Sequence, residues 1–154
     1  MNVQTGKQVR VYPPVYLLLA VFVMVGLHLA LPFRHVIPSG LRYLGIALLI
    51  AGLVLDVWAA GLFARAGTSV KPLQPSSALV TGGPYRLSRN PMYLGMVISL
   101  LGLGLWLGAL TPFVIVPAFA LFIEHRFIRR EEAMMEATFG AAYAEYKNAV
   151  RRWI

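Results

Sequence analysis

Two short stretches of the chain gather side chains that could do chemistry. Residues 82–95 read GGPYRLSRNPMYLG and place Tyr85, Arg86, Arg89, Asn90 and Tyr93 among two prolines and three glycines. Residues 129–146 read RREEAMMEATFGAAYAEY and carry the carboxylate pair Glu131 and Glu132. Phenols and an amide beside glycines can shape a cradle into which backbone approaches closely. Paired carboxylates accept hydrogen bonds from hydroxyl or ammonium groups. A third candidate is Asp56, set within an apolar run, where a carboxylate is costly and marks function or a structural pairing.

Each stretch also has a structural reading. Asn90 caps helices well and Pro91 suits a first helical position. Arg86 and Arg89 can reach lipid headgroups, and Tyr85 and Tyr93 can join an interfacial aromatic belt. Glu131 and Glu132 can pair with Arg129 and Arg130 on an exposed helix, which contributes little. His28 reads as an interfacial histidine near the far end of the first helix, and the role of His125 stays open.

The elements that must position these residues are apolar. Four runs stand out: Val15 to Leu31, Leu41 to Phe63, Met92 to Leu110 and Pro112 to Ile123. The first three approach the roughly 20 residues a spanning helix needs. The fourth is short alone and is expected to extend past Glu124. Proline cannot continue a helix unaided, so Thr111-Pro112 is expected to break the third run from the fourth and leave a tight hairpin. Met135, Phe139, Tyr143, Tyr146 and Val150 recur at helical spacing, which predicts an apolar stripe packed on the membrane face, with Gly140 as a possible interruption. The expected fold is all-α and polytopic, with about four transmembrane helices and a C-terminal cytoplasmic helical segment. It forms one domain over 1–154, with two N-terminal helices in 1–66 and the chemistry in 67–154.

Composition supports a membrane class. The chain has 154 residues, of which 58% are hydrophobic and 13% charged, about half the charged share of soluble proteins. There is no cysteine, so disulfides and thiolate sites are excluded. His28, His35 and His125 show no ligand spacing, and no metal is expected. The net charge is +8, but the cations flank apolar runs and no nucleic-acid-binding signature appears. The expected partner is the bilayer, not nucleic acid. The first run is about membrane length with no small-residue cleavage site after it, so a span is expected there and not a removed signal. With the N-terminus inside, Lys7, Arg10, Arg65, Lys71, Arg86, Arg89, Arg126, Arg129, Arg130, Lys147, Arg151 and Arg152 share one side, against Arg34 and Arg42. That bias predicts both termini in the cytoplasm.

Taken in order, Arg89-Asn90-Pro91-Met92-Tyr93, an apolar hairpin, Glu131-Glu132 and Phe139-Gly140-Ala141-Ala142-Tyr143-Ala144-Glu145-Tyr146 resemble one family. It is the integral membrane methyltransferases of the isoprenylcysteine carboxyl methyltransferase type, related to the phospholipid N-methyltransferases. The resemblance runs from about Gly67 to Arg152. It implies S-adenosylmethionine as methyl donor, bound at the cytoplasmic side by Ala78, Leu79, Val80, Tyr85, Asn90, Pro91, Met92, Tyr93 and Glu131. Glu132 belongs to the same acidic motif. A substrate-contacting arginine of eukaryotic relatives falls nearest Arg126. The short chain and its SRNPMYLG variant resemble prokaryotic members, which implies an inner membrane. The acceptor is expected to be lipophilic: an isoprenylcysteine carboxylate, a phospholipid amine or another small hydrophobic molecule.

One position departs from the family pattern. Its motif histidine is Asn90 here, and asparagine cannot titrate. The motif is therefore expected to bind and not to transfer protons. Methyl transfer from a sulfonium needs chiefly alignment and exclusion of water. An adenine slot would suit Leu79, Tyr85 and Met92, and a ribose or ammonium would suit the Glu pair. Two other readings stay open: an NADPH-dependent membrane reductase of the sterol-reductase type, and a non-enzymatic helical scaffold.

Overall fold

A computed structural model of the chain describes residues 12–31 and 37–154. Lys7, Arg10, Phe33, Arg34 and His35 lie outside the described residues. Helix α1 spans Pro13–Ala30 and α2 spans Ser39–Arg65. A 3-10 turn, Gly83–Arg86, precedes α3 at Pro91–Leu107. A second 3-10 turn, Thr111–Val114, leads into α4 at Ile115–Ile123, a π-helical stretch at Glu124–Ile128 and α5 at Arg129–Phe139. Helix α6 follows at Ala141–Ala149. The described residues form helices and loops without a strand.

Among the described residues, three helical segments are long and apolar enough to cross a membrane: Pro13–Ala30, Ser39–Arg65 and the continuous Thr111–Phe139. Helix α3 has 17 residues, about 25 Å at 1.5 Å per residue, and falls short of that length. The break after it also differs from expectation. Gly108 adopts φ 78° and its N–H closes on the Gly104 carbonyl, so a left-handed glycine ends α3. Pro112 instead sits in the first turn of the next helical stretch, where its missing N–H is harmless.

Helices α2 and α3 meet along small residues. The buried positions of α2 are Gly45, Gly52 and Ala59, one every seventh residue and hence along one face. A Cβ at Gly45 would stand 2.6 Å from the Gly102 carbonyl oxygen, and one at Gly52 would overlap Ser99 Oγ. Backbones this close gain dispersion contacts that larger side chains would prevent, which is how helices associate within lipid. Asp56 lies on the same seam against Gly95. At the far end Arg42 Nε donates to the Trp106 carbonyl at 2.9 Å, near the end of α3.

The other face of α3 packs on α1 and α4 through buried Met24, Leu100, Ile123 and Phe127. Phe127 belongs to the π stretch, whose wider turn carries it inward to 5.9 Å from the Tyr16 ring and 6.3 Å from the Tyr93 ring. The expected C-terminal stripe is broken, because Gly140 takes φ 52° and ψ −121° between α5 and α6. Its members Met135, Tyr143 and Tyr146 line a cavity in place of the expected packing on the membrane face, since the turn at Gly140 redirects α6 so that its Lys147 carbonyl meets Arg89, just before α3.

Candidate functional site

The starts of α1 and α3, the end of α2, the loop between α2 and α3, and helices α5 and α6 line a cavity of about 390 Å³. That lies within the roughly 300–1,000 Å³ of small-molecule sites. Its wall is built from three distant parts of the sequence.

The loop supplies one wall. Thr68 is buried and its Oγ1 accepts from Ser77 N at 2.9 Å, which closes the loop on itself. Leu73 takes the left-handed conformation, φ 56°, and its N–H donates to Glu131 Oε1 at 3.3 Å. The loop is thereby tied to α5 beside the cavity. Leu79 and Val80 add apolar surface from its last residues.

The 3-10 turn supplies Tyr85. Gly83, at φ 58°, makes the turn and packs on Leu62. Tyr85 is 4% exposed, and its ring lies 5.4 Å from that of Phe63. Tyr146 donates to the Tyr85 carbonyl at 2.7 Å. The Tyr85 hydroxyl itself is buried with no hydrogen-bond partner. An unpartnered buried hydroxyl costs free energy that a ligand can recover. Burial first, then neighbouring Tyr146 and Glu131, raises the Tyr85 phenol above its ordinary value. Burial likewise pushes Tyr143 up to about 12 and raises Tyr146. All three are neutral donors at physiological pH.

The two adjacent glutamates part company. Glu131 faces the cavity, where the Tyr93 hydroxyl donates to both its oxygens at 3.0 and 3.1 Å. No cation pairs with it among the described residues. Glu132 is 6% exposed and is gripped from two sides. Arg89 Nη2 lies 2.9 Å from Oε1 and Arg152 Nη2 lies 2.7 Å from Oε2. Arg89 also donates through Nη1 to the carbonyls of Lys147 and Val150 at 3.0 and 2.7 Å. Hydrogen bonds to Glu132 hold the Arg152 guanidinium above its ordinary value.

Most of the residues expected from the sequence come together here. Leu79, Val80, Tyr85, Asn90, Met92, Tyr93, Glu131 and Glu132 all line the cavity. Ala78 and Pro91 do not; Pro91 is buried beneath the wall as the first residue of α3. Arg126 lies apart, in a shallow groove with Leu121, Phe122 and His125. Its guanidinium carbon is 5.5 Å from the Phe127 ring centre, and Nη1 is buried without a partner. Asp56 lines neither space. Asn90 occupies the N-cap position but makes no capping bond; its side-chain amide donates to the Arg152 carbonyl at 3.1 Å. The sequence reading missed Arg152, Leu73 and Ser88. Arg152 carried a signal only as one of several terminal cations, and the two others carried none.

The comparisons agree with this architecture. A family model described as phospholipid methyltransferase matches residues 41–142, well over half of the chain. An uncharacterized protein of Haemophilus influenzae is 43% identical over 63 residues, which are 41% of this chain and all of that shorter protein. The solved structure of the eukaryotic intramembrane Ras methyltransferase, isoprenylcysteine carboxyl methyltransferase, superposes on the whole chain with a TM-score of 0.66 at 25% identity. This chain spans 53% of that structure's length. The matched region runs from α2 through the glycine seam, the cavity and the glutamate pair, and on it the chain belongs to the phospholipid methyltransferase family of membrane methyltransferases.

Proposed function

We propose that the chain transfers a methyl group from S-adenosylmethionine to a lipophilic acceptor at a membrane surface. The observation that carries this reading is the single cavity joining Tyr85, the start of α3 and Glu131. The donor fits the residues present. Leu79 and Met92 offer an apolar slot, Glu131 offers a carboxylate with no cation partner, and Tyr85 offers an unused hydroxyl. When bound, the donor supplies an activated methyl group on a sulfonium. The chain's own residues then bind, orient and exclude water.

In this reading Glu131, braced by Tyr93 and the Leu73 amide, takes the donor's hydroxyl or ammonium groups. Tyr85 donates its idle hydroxyl. Glu132 acts through Arg89 and Arg152, holding the start of α3 against α6. Asn90 binds and does not titrate. A carboxylate acceptor reaches the methyl without losing a proton. An amine acceptor must shed one, and Glu131 is the cavity carboxylate free of a cation. No step is assigned to Arg126. Localisation follows the same reading: a prokaryotic inner membrane, both termini cytoplasmic, the cavity facing the cytoplasm and the acceptor delivered from the bilayer.

Titration of the purified protein in detergent tests the reading. Saturable binding of S-adenosylmethionine and S-adenosylhomocysteine, weakened by Glu131→Ala and by Tyr85→Phe, is expected. Binding of NADPH in their place would replace a methyl donor by a hydride donor, and binding of none of the three would remove the enzyme reading.

A further inference from the structure

After α6 the chain turns extended at Val150, φ −126° and ψ 133°, and runs beside the start of α3. Its backbone is seated there by four contacts. Arg89 N donates to the Arg151 carbonyl at 3.0 Å, and Arg89 Nη1 to that of Val150 at 2.7 Å. Ser88 Oγ and Asn90 Nδ2 both donate to the Arg152 carbonyl, at 3.2 and 3.1 Å. Two side chains pin the segment from the other side. Arg152 forks across Glu132 and reaches Glu124 Oε1 at 2.9 Å, and Trp153 Nε1 donates to Glu124 Oε2 at 3.0 Å.

The consequence falls on Asn90. An asparagine at an N-cap position ordinarily turns its side chain onto the second or third amide of the helix. Here the side-chain amide donates to the Arg152 carbonyl and, at 3.5 Å, to Glu132 Oε1, and α3 has no side-chain cap. Pro91 has no N–H. The amides of Met92 and Tyr93 are left without a side-chain acceptor, and both residues line the cavity. An uncapped helix start attracts negative charge. Independently, Tyr85, which lines the same cavity, is 4% exposed and its buried hydroxyl has no partner, which also calls for a ligand.

We propose that segment 150–153, held by Arg152, is a positioning element of the site: it keeps Asn90 off the first turn of α3 and leaves that turn open to the anionic end of a ligand. This rests on the methyl-donor reading, in which that end is the donor's carboxylate. Arg152 is a positioning residue, acting through Asn90 and Glu132.

Two probes separate positioning from general support. S-adenosylhomocysteine carries the amino-acid carboxylate; methylthioadenosine has the same nucleoside and lacks it. In Arg152→Ala, affinity for the first is expected to fall about tenfold, the scale of one lost interaction of about 1.4 kcal/mol, with affinity for the second nearly unchanged. Arg152→Lys should recover part of the loss. Should Arg152→Ala fail to fold, Arg152→Gln keeps the Arg89–Glu132 pair and an amide donor toward Glu132. It should fold and still show the selective loss. Equal weakening of both probes, or no weakening of either, in a folded variant overturns the inference while the donor reading stands. Failure of the unaltered protein to bind either probe overturns the donor reading itself, and the inference with it.

Discussion

The Tyr93 hydroxyl and the Glu131 carboxylate, 38 residues apart, meet at 3.0 and 3.1 Å inside the cavity. The bond ties the first turn of α3 to the first turn of α5, so the two walls are held by a pair that itself faces the cavity. One residue on, Glu132 turns away from this pair to Arg89 and Arg152. The same two positions therefore predict different losses.

Glu131→Gln keeps the shape and a hydrogen-bond acceptor for Tyr93 but removes the charge. Thermal stability in detergent should change little, while donor-product affinity falls about tenfold or more, as for one charge-assisted hydrogen bond. Glu132→Gln leaves buried Arg89 without a carboxylate partner, while Arg152 keeps Glu124. Its stability should fall by roughly 3–5 kcal/mol, the range for breaking a buried pair. Equal effects of the two substitutions on melting and on binding would contradict the division of labour.

Tyr85→Phe deletes a hydroxyl that has no protein partner. The folded protein should be as stable as before or more so, by up to about 1 kcal/mol, because an unsatisfied buried group is lost. Donor-product affinity should drop severalfold. A stability loss would show that the hydroxyl has a partner within the protein.

Gly52→Ala places a methyl group against Ser99 Oγ on the α2–α3 seam. Overpacking of this kind costs about 1–3 kcal/mol. Because α3 carries Tyr93 on its first turn and Asn90 at its N-cap, binding should weaken alongside the melting temperature. An unchanged melting temperature would mean that the two helices can separate freely.

Alkaline titration probes the buried phenols. Tyr85, Tyr143 and Tyr146 are all raised, Tyr143 to about 12, with burial the leading cause. A raised value means the fold favours the neutral phenol. The stabilisation is complete below the unfolded value near about 10 and is lost as pH climbs through the folded values. The melting temperature should therefore hold steady to about pH 10 and decline above it, less steeply in Tyr143→Phe. A flat profile to about pH 12 would show that these rings are open to solvent.

Much of this is legible in the sequence. The apolar runs mark α1, α2 and α4 because lipid leaves few alternatives to a helix. Tyr85, Tyr93 and Glu131 are legible as a group through their order along the chain. The end of α3 was not, because Gly108 and Pro112 are both breakers and only the backbone shows which one acts. Nor could adjacent glutamates be told apart, since their roles depend on how the helix is rotated. Arg152 was hidden among terminal cations that read equally well as headgroup anchors. Asn90 was read by its local habit as a cap, and a carbonyl 62 residues away overrides that habit.

The π stretch at Glu124–Ile128 bears on that rotation. A turn of this type holds one residue more than an α-turn, and each residue advances a helix by about 100°. Excising a single residue there would spin the far half of the long helix by that angle relative to Ile123. Glu131 would swing out of the cavity and Glu132 would leave its arginines, with no contact residue replaced. The additional residue sets the phase of the whole glutamate pair, so this short stretch should tolerate exchange of its side chains far better than any change in its length.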